Sequence, residues 1–319
     1  MESEHMCERK EASQGREEKK NELVMPISIV IAATLISFSI FYRAESSTVR
    51  SGKITSNKDT SATISNDETL REEAVIPNEG VTLPVRWGEL GVGLVGNGVI
   101  DEQKLEALYA ERGGFTDEMR SFLRDKGSEK VVMNRENSGY LLNLFWALGL
   151  GTKNTILEKG PMMDPRYGGA GNFASTGGWT LARDGAMSHY SRHSFFTLTS
   201  EQQALVEKVS QNIYRPCCGN STYFPDCNHG MAMLGLLELM ASQGVSEGDM
   251  YAAALKVNSY WFPNNYLTIA SYMETKGTPW NKVDPKQMLG AEFSSAGGYQ
   301  AIVSKVRLPS FQGGVGCGE

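Results

Sequence analysis

GYLLNLFWALGL (residues 139–150) and GMAMLGLLELMA (residues 230–241) decide the fold. Both are apolar almost all round, so each reads as a helix buried in the centre of a domain, not as a surface helix with one apolar stripe. Ser138 precedes the first, and Gly149 and Gly151 stop it. The second begins near Asn228 and runs to Gln243, with Gly244 as its stop.

Other helices are legible around these two. Asp101 caps one through Leu105, Leu108 and Tyr109, ending near Gly113-Gly114. Thr116 starts the next, with Met119, Phe122 and Leu123 on one face, ending near Gly127. Thr199 with Gln202 matches a capping box, and Leu205, Val206, Val209 and Ile213 follow at helical spacing. Ser246 with Asp249 opens MYAAALKVNSYWF; Pro263 breaks that run, and YLTIASYMETKG reads as one more helix. Period-two strands with hairpin turns are scarce. The expected fold class is therefore all-α, with one long Gly-rich loop, GPMMDPRYGGAGNFASTGGWT, over residues 160–180. Met162, Met163, Tyr167, Phe173 and Trp179 imply that this loop is packed, and its glycines match neither a P-loop nor a dinucleotide fingerprint.

The chain has 319 residues, of which 40 % are hydrophobic and 21 % charged, enough for a real core in one or two domains. A net charge of -6 argues against a nucleic-acid partner, which would call for a basic face. Five cysteines are too few for a disulfide-dense scaffold.

Residues 23–42 (LVMPISIVIAATLISFSIFY) carry no charge over a length that spans about 30 Å as a helix. They are expected to be a transmembrane helix, with Pro26 tolerated in the first turn. A cleaved signal peptide would want a short basic start and small residues at the exit, where this chain has Phe41-Tyr42-Arg43-Ala44. Residues 1–22 then form a cytosolic polar tail, because Arg9, Lys10, Arg16, Lys19 and Lys20 outnumber the sparser cations that follow. No aromatic residue appears from Arg43 to Arg86, so residues 43–80 read as a disordered stalk carrying a helical domain, 81–319, outside the cytoplasm. The implied localisation is a single-pass membrane protein, with the membrane and another envelope protein as partners.

The chemistry concentrates between residues 189 and 229. Three of the four histidines (His189, His193, His229) and three cysteines (Cys217, Cys218, Cys227) lie there. If residues 184–194 are helical, His189 and His193 share a face at the spacing that lets two imidazoles reach one ion. YRPCCGNSTYFPDCNHG (residues 214–230) joins two apolar helices. Its thiols suit a soft or borderline metal such as Zn or Cu, a redox nucleophile helped by the positive end of the following helix, or a structural disulfide between Cys227 and either neighbour. Cys317 is a further pairing candidate, whereas Cys217 and Cys218 are too close in sequence to pair without strain. Asn220-Ser221-Thr222 is also an N-glycosylation sequon.

Residues 199–257 resemble the CcmH/CycL-type thiol-oxidoreductase subunit of bacterial cytochrome c maturation. The resemblance is carried by Ile213 through Cys218, Asn220-Ser221, Asp226, Leu234 to Gly244 and Ser246-Glu247. It implies a small anchored helical bundle with a cysteine loop. Arg215 stands where that family has the first cysteine of Cys-x-x-Cys, taking Cys218 as the second, and Cys217 and Cys227 have no counterpart.

The function expected is a membrane-anchored Cys/His site for soft-metal binding or thiol handling in metalloprotein maturation, its ligands drawn from Cys217, Cys218, Cys227, His229, His189 and His193. Two alternatives stand beside it. One is a non-enzymatic scaffold whose cysteines only staple a loop and whose binding surface is residues 160–180. The other is a cell-envelope hydrolase using Asp164, Asp184 or Asp226.

Overall fold

The computed structural model describes residues 58–306, and those from Asp59 onward belong to one compact unit. The two apolar runs are its centre. Helix α5 (Ser138–Gly151) and helix α9 (Asn228–Ser242) lie against each other, and nearly every residue of both is buried. Their backbones touch at Gly149 and Gly235. A Cβ on Gly149 would stand 2.2 Å from the Met231 carbonyl oxygen, and one on Gly235 would stand 2.4 Å from that of Phe145. Any larger residue at the crossing would push the helices apart.

The helices read from caps are present. Asp101 accepts from the Gln103 and Lys104 amides at the start of α3 (Glu102–Ala110), and Thr116 from the Met119 amide at the start of α4 (Asp117–Arg124). The Thr199/Gln202 capping box opens α8 (Ser200–Ser210), and Ser246 caps α10 (Glu247–Trp261). Pro263 starts α11 (Pro263–Thr275) immediately afterwards. Shorter helices complete the unit: α2 (Leu90–Gly96), α6 (Thr155–Lys159), α7 (Ala174–Gly177), α12 (Pro285–Leu289), α13 (Ala291–Ser294) and α14 (Ala296–Val303).

The all-α expectation is corrected. The fold is mostly helical but includes a two-stranded antiparallel sheet, β1 (Val81–Gly88) with β2 (Gly127–Met133), paired from Val81↔Met133 to Gly88↔Gly127. Val81, Leu83, Val85 and Trp87 point inward at alternate positions, the period of a strand with one wet face. Trp87 anchors the sheet through its ring N–H to the Phe122 carbonyl, 2.7 Å, and its edge meets Phe145.

The disordered stalk is corrected as well. Within residues 43–80, helix α1 (Lys58–Val75) is formed and belongs to the folded unit. Val75 and Ile76 are buried, Arg71 pairs with Glu274 at 2.6 Å, and the Tyr260 hydroxyl donates to the Pro77 carbonyl at 2.7 Å. A polar stretch without aromatics orders here because its last turn docks on a core supplied by distant helices.

The single-pass membrane localisation, with its cytosolic N-terminus and extracytoplasmic domain, is corrected too: among the described residues no helix is long and apolar enough to cross a membrane. Residues 1–22 and 23–42, the part of the expected stalk before Lys58, and Cys317 near the C-terminus, lie outside the described residues.

Candidate metal centre

The segment between α8 and α9 is held on several sides. An isolated bridge joins Tyr214 to Ser221, and the Thr222 amide closes the same turn on the Ile213 carbonyl at 2.8 Å. The Tyr214 amide donates to the Leu289 carbonyl at 2.8 Å, and the Asn258 side chain donates to the Tyr214 carbonyl at 3.1 Å. The Ala296 amide donates to the Cys218 carbonyl at 2.9 Å, and the Ser175 amide to that of Asp226 at 3.1 Å. A segment without regular structure is thereby tied to the elements around it through its backbone groups.

Its three thiols converge. The sulfurs of Cys217, Cys218 and Cys227 all lie within 4.8 Å of one another, and none is in a disulfide. This cluster can hold a metal ion. Cys217 Sγ and Cys227 Sγ are 3.7 Å apart. Cys218 Sγ faces oxygen, 3.9 Å from the Asn220 carbonyl and 4.0 Å from Asp226 Oδ1.

Arg215 organises the cluster from beneath. Its side chain is 2 % exposed. Nε donates to Cys227 Sγ at 3.0 Å, Nη1 to the Asn220 carbonyl at 3.1 Å, and Nη2 to the Phe224 carbonyl at 3.2 Å and to Asp226 Oδ1 at 2.6 Å. Asn220 donates to the other Asp226 oxygen at 2.8 Å. A planar fork of five donors can bind four acceptors on three sides; a lysine ammonium could not. Room for the guanidinium comes from Gly230, where a Cβ would stand 2.5 Å from its central carbon.

The charges follow from these contacts. Cys227 is held well below the ordinary thiol range, first by hydrogen bonds from the Cys217 and Cys218 thiols, then by the Arg215 guanidinium and His229, against the pull of burial. Cys217 is pushed up because its proton is held in hydrogen bonds with Cys218 and Cys227. Cys218 is drawn down by Cys217 but held up more by Cys227 and by burial, and is pushed up to about 11. Burial works against the charge on Arg215, but the facing Cys227 and Cys218 sulfurs raise it above its ordinary value. Of the three thiols, Cys227 is the one whose surroundings favour the thiolate, beside a buried cation.

The histidines divide. His229 sits at the start of α9 beside Cys227, 3 % exposed, its ring 4.4 Å from that of Phe262 and its Nδ1 without a partner. It lies outside the group of ligand atoms that all fall within 4.8 Å of one another. His189 and His193 face each other instead, Nδ1 to Nε2 at 3.0 Å. They do so without the expected helix: residues 186–188 are a 3-10 turn, Ser191 adopts φ 51°, and the chain wraps back so that the His193 amide reaches the Gly151 carbonyl at 2.8 Å. Burial lowers both imidazoles, with His193 as the next cause for His189 and Arg192 for His193, so the charged form of each is disfavoured.

The Gly-rich stretch braces the centre. Three 3-10 turns (161–163, 165–167, 170–172) and α7 fold it into a compact layer. Tyr167 and Phe173 pack on Phe224 of the thiol segment, each with ring centres 5.4 Å from it. The hydrolase carboxylates do not pair with one another. Asp164 binds Arg166 at 2.5 Å, Asp226 binds Arg215, and the Asp184 carbonyl accepts from the Ser188 hydroxyl at 3.1 Å. Arg215 and Asp226 are the residues that sequence reading undervalued as parts of a thiol site. The one signal available was a charged pair flanking the cysteines in a segment between two apolar helices.

Comparison of the chain with protein-family models, with curated proteins and with solved structures finds no match.

Proposed function

We propose that the protein binds one thiophilic metal ion through Cys217, Cys218 and Cys227 and holds it for use in metalloprotein maturation. The observation that carries this reading is the spacing of the sulfurs. Two sulfurs each about 2.3 Å from a tetrahedral ion stand about 3.8 Å apart. Cys217 and Cys227 are 3.7 Å apart, and Cys218 lies within the same 4.8 Å group. Zn2+ fits that edge, and Cu+ is the other ion that three thiolates favour.

The surroundings support the ligand role. Arg215, shared with Asp226, donates to Cys227 Sγ, and His229 lies at the start of α9 near that sulfur as an outer partner that favours its thiolate. Three protein ligands leave a fourth position for water or a donor from another molecule, the arrangement of an ion that is used instead of sealed in.

The test is native mass spectrometry of the full reduced chain with Cys7 and Cys317 changed to Ser, titrated with Zn2+ and separately with Cu+. One equivalent is expected, lost on changing Cys217, Cys218 or Cys227 to Ser. A folded, fully reduced chain that takes up neither ion overturns the reading.

A further inference from the structure

We propose that Cys217 and Cys227 are a reversible dithiol–disulfide pair, with Cys218 the thiol left free, so that oxidation of the pair removes the metal site. The dithiol chemistry stands on geometry alone; only its consequence for the ion rests on the metal reading above.

Three observations select the pair. First, Cys217 Sγ and Cys227 Sγ need to close from 3.7 Å to about 2.0 Å to bond, a movement on the scale of side-chain rotation. Second, Cys227 is held at the start of α9 while Cys217 lies in a turn outside any helix or strand, so the closing rotation falls to the Cys217 side chain. Third, the rival pairings are worse placed. Cys217 and Cys218 are neighbours in sequence, which strains a disulfide, and Cys218 Sγ, although within 4.8 Å of Cys227 Sγ, also has contacts to the Asn220 and Asp226 oxygens to give up.

The oxidised state is also well satisfied. When the Cys227 sulfur enters a disulfide, Arg215 gives up one of four acceptors and keeps Asp226, the Asn220 carbonyl and the Phe224 carbonyl. No buried charge is stranded by the reaction, so the site tolerates both states.

The oxidant is a small-molecule disulfide. One thiolate of the pair attacks a sulfur of the reagent, whose S–S bond breaks to give a mixed disulfide and one reagent thiolate, which takes up a proton. The second protein thiol loses its proton to solvent and attacks the mixed disulfide at the protein sulfur. The internal S–S bond forms and the second reagent thiol leaves. The protein is oxidised by two electrons and one reagent disulfide becomes two thiols. Two of the three metal ligands are consumed.

The test uses the metal-free full chain in buffers of oxidised and reduced glutathione, quenched by alkylation and mapped by peptide mass spectrometry. The expected product is a Cys217–Cys227 link with Cys218 alkylated, reversed by reduced glutathione. Cys218→Ser is expected to retain the link; Cys217→Ser and Cys227→Ser are expected to lose it and to stop at the mixed disulfide. A Cys218–Cys227 link, a link from either residue to Cys317, or no oxidation in the most oxidising buffer overturns the proposal. Metal uptake by the reduced chain is measured without oxidant, so failure of either reading shows separately.

Discussion

The Arg215 Nε donates to the Cys227 sulfur at 3.0 Å, and the same guanidinium binds Asp226 at 2.6 Å. One buried cation therefore ties the thiol cluster to the carboxylate that closes the segment. Removing it takes one donor from each of Asp226 Oδ1, the Asn220 carbonyl and the Phe224 carbonyl, although Asn220 still donates to Asp226 Oδ2. Arg215→Gln is expected to cost about 3 kcal/mol, the low end for breaking a buried pair, because Asp226 is still 20 % exposed and water can reach it. Urea denaturation measures this. A cost under about 0.5 kcal/mol, the scale of an ordinary surface change, would show that the guanidinium is not an organising group.

Gly230 makes the room that Arg215 occupies, since a Cβ there would stand 2.5 Å from the guanidinium carbon and from Nη2. The guanidinium cannot swing away without breaking its fork of bonds. Gly230→Ala is expected to destabilise by about 1–3 kcal/mol, as overpacking does, and to weaken Zn2+ uptake by displacing Cys227. Calorimetric zinc titration beside a denaturation curve separates the two effects. Unchanged zinc affinity in a folded variant would disconnect Gly230 from the thiols.

The crossing of α5 and α9 makes a similar demand at Gly149 and Gly235, where a Cβ would stand 2.2 and 2.4 Å from backbone oxygens. Here the obstacle is main chain, which yields less than a side chain. Gly149→Ala or Gly235→Ala is expected to cost about 2–3 kcal/mol, the upper part of the overpacking range. Gly139 is the control, because a Cβ there meets nothing within 4 Å. Gly139→Ala is expected to be neutral or to stabilise by up to about 1 kcal/mol through helix propensity. Equal effects at the three positions would refute the close approach.

What the sequence showed and hid follows from the range of each interaction. Helix caps act over three residues, so Thr199/Gln202 and Ser246/Asp249 could be read directly, and the apolar runs at 139–150 and 230–241 announced their own burial. The strand pair was less legible. Its alternation, Val81, Leu83, Val85, Trp87, is plain in β1, but the partner lies some forty residues on and no tight turn joins them. Helix α1 carries almost no apolar face of its own and is placed by Glu274 and Tyr260, far away in sequence. In the site, three cysteines drew attention to themselves, whereas Arg215 looked like the absence of a cysteine. Its role depends on four acceptors from Asn220 to Cys227 turning back upon it, which no spacing rule encodes.

His189 Nδ1 and His193 Nε2 pair at 3.0 Å, and neither ring belongs to the group of ligand atoms formed by the three thiols. They are expected to play no part in zinc binding by the cysteine cluster. His189→Ala with His193→Ala should leave one zinc per chain at unchanged affinity. His229→Ala, which removes the group beside Cys227, is expected to weaken binding by about 10-fold, the low end for loss of an outer partner of a metal ligand. Loss of zinc in the double variant would bring the two clusters back into one site.

Glu238 lies in the middle of α9 with no exposure, accepts a hydrogen bond from the Asn154 side chain, and has a second oxygen, Oε2, without a partner. Burial raises its carboxyl well above the ordinary range, with the Asn154 bond opposing the shift only in part. The unfolded chain releases this proton near pH 4.3, while the folded chain keeps it to higher pH. Folding is then linked to proton uptake: the contribution is complete below the unfolded value and is lost as pH rises toward the raised one. Each pH unit between the two values costs at most about 1.4 kcal/mol of stability. Glu238→Gln keeps an acceptor for Asn154 and cannot ionise. It should match the parent near pH 4 and become progressively more stable than the parent at pH 6, 7 and 8. Groups common to both chains, the histidine pair included, cancel in the difference. Urea midpoints across that range decide the matter, and parallel pH profiles for the two chains would show that the Glu238 carboxyl ionises freely inside the folded helix.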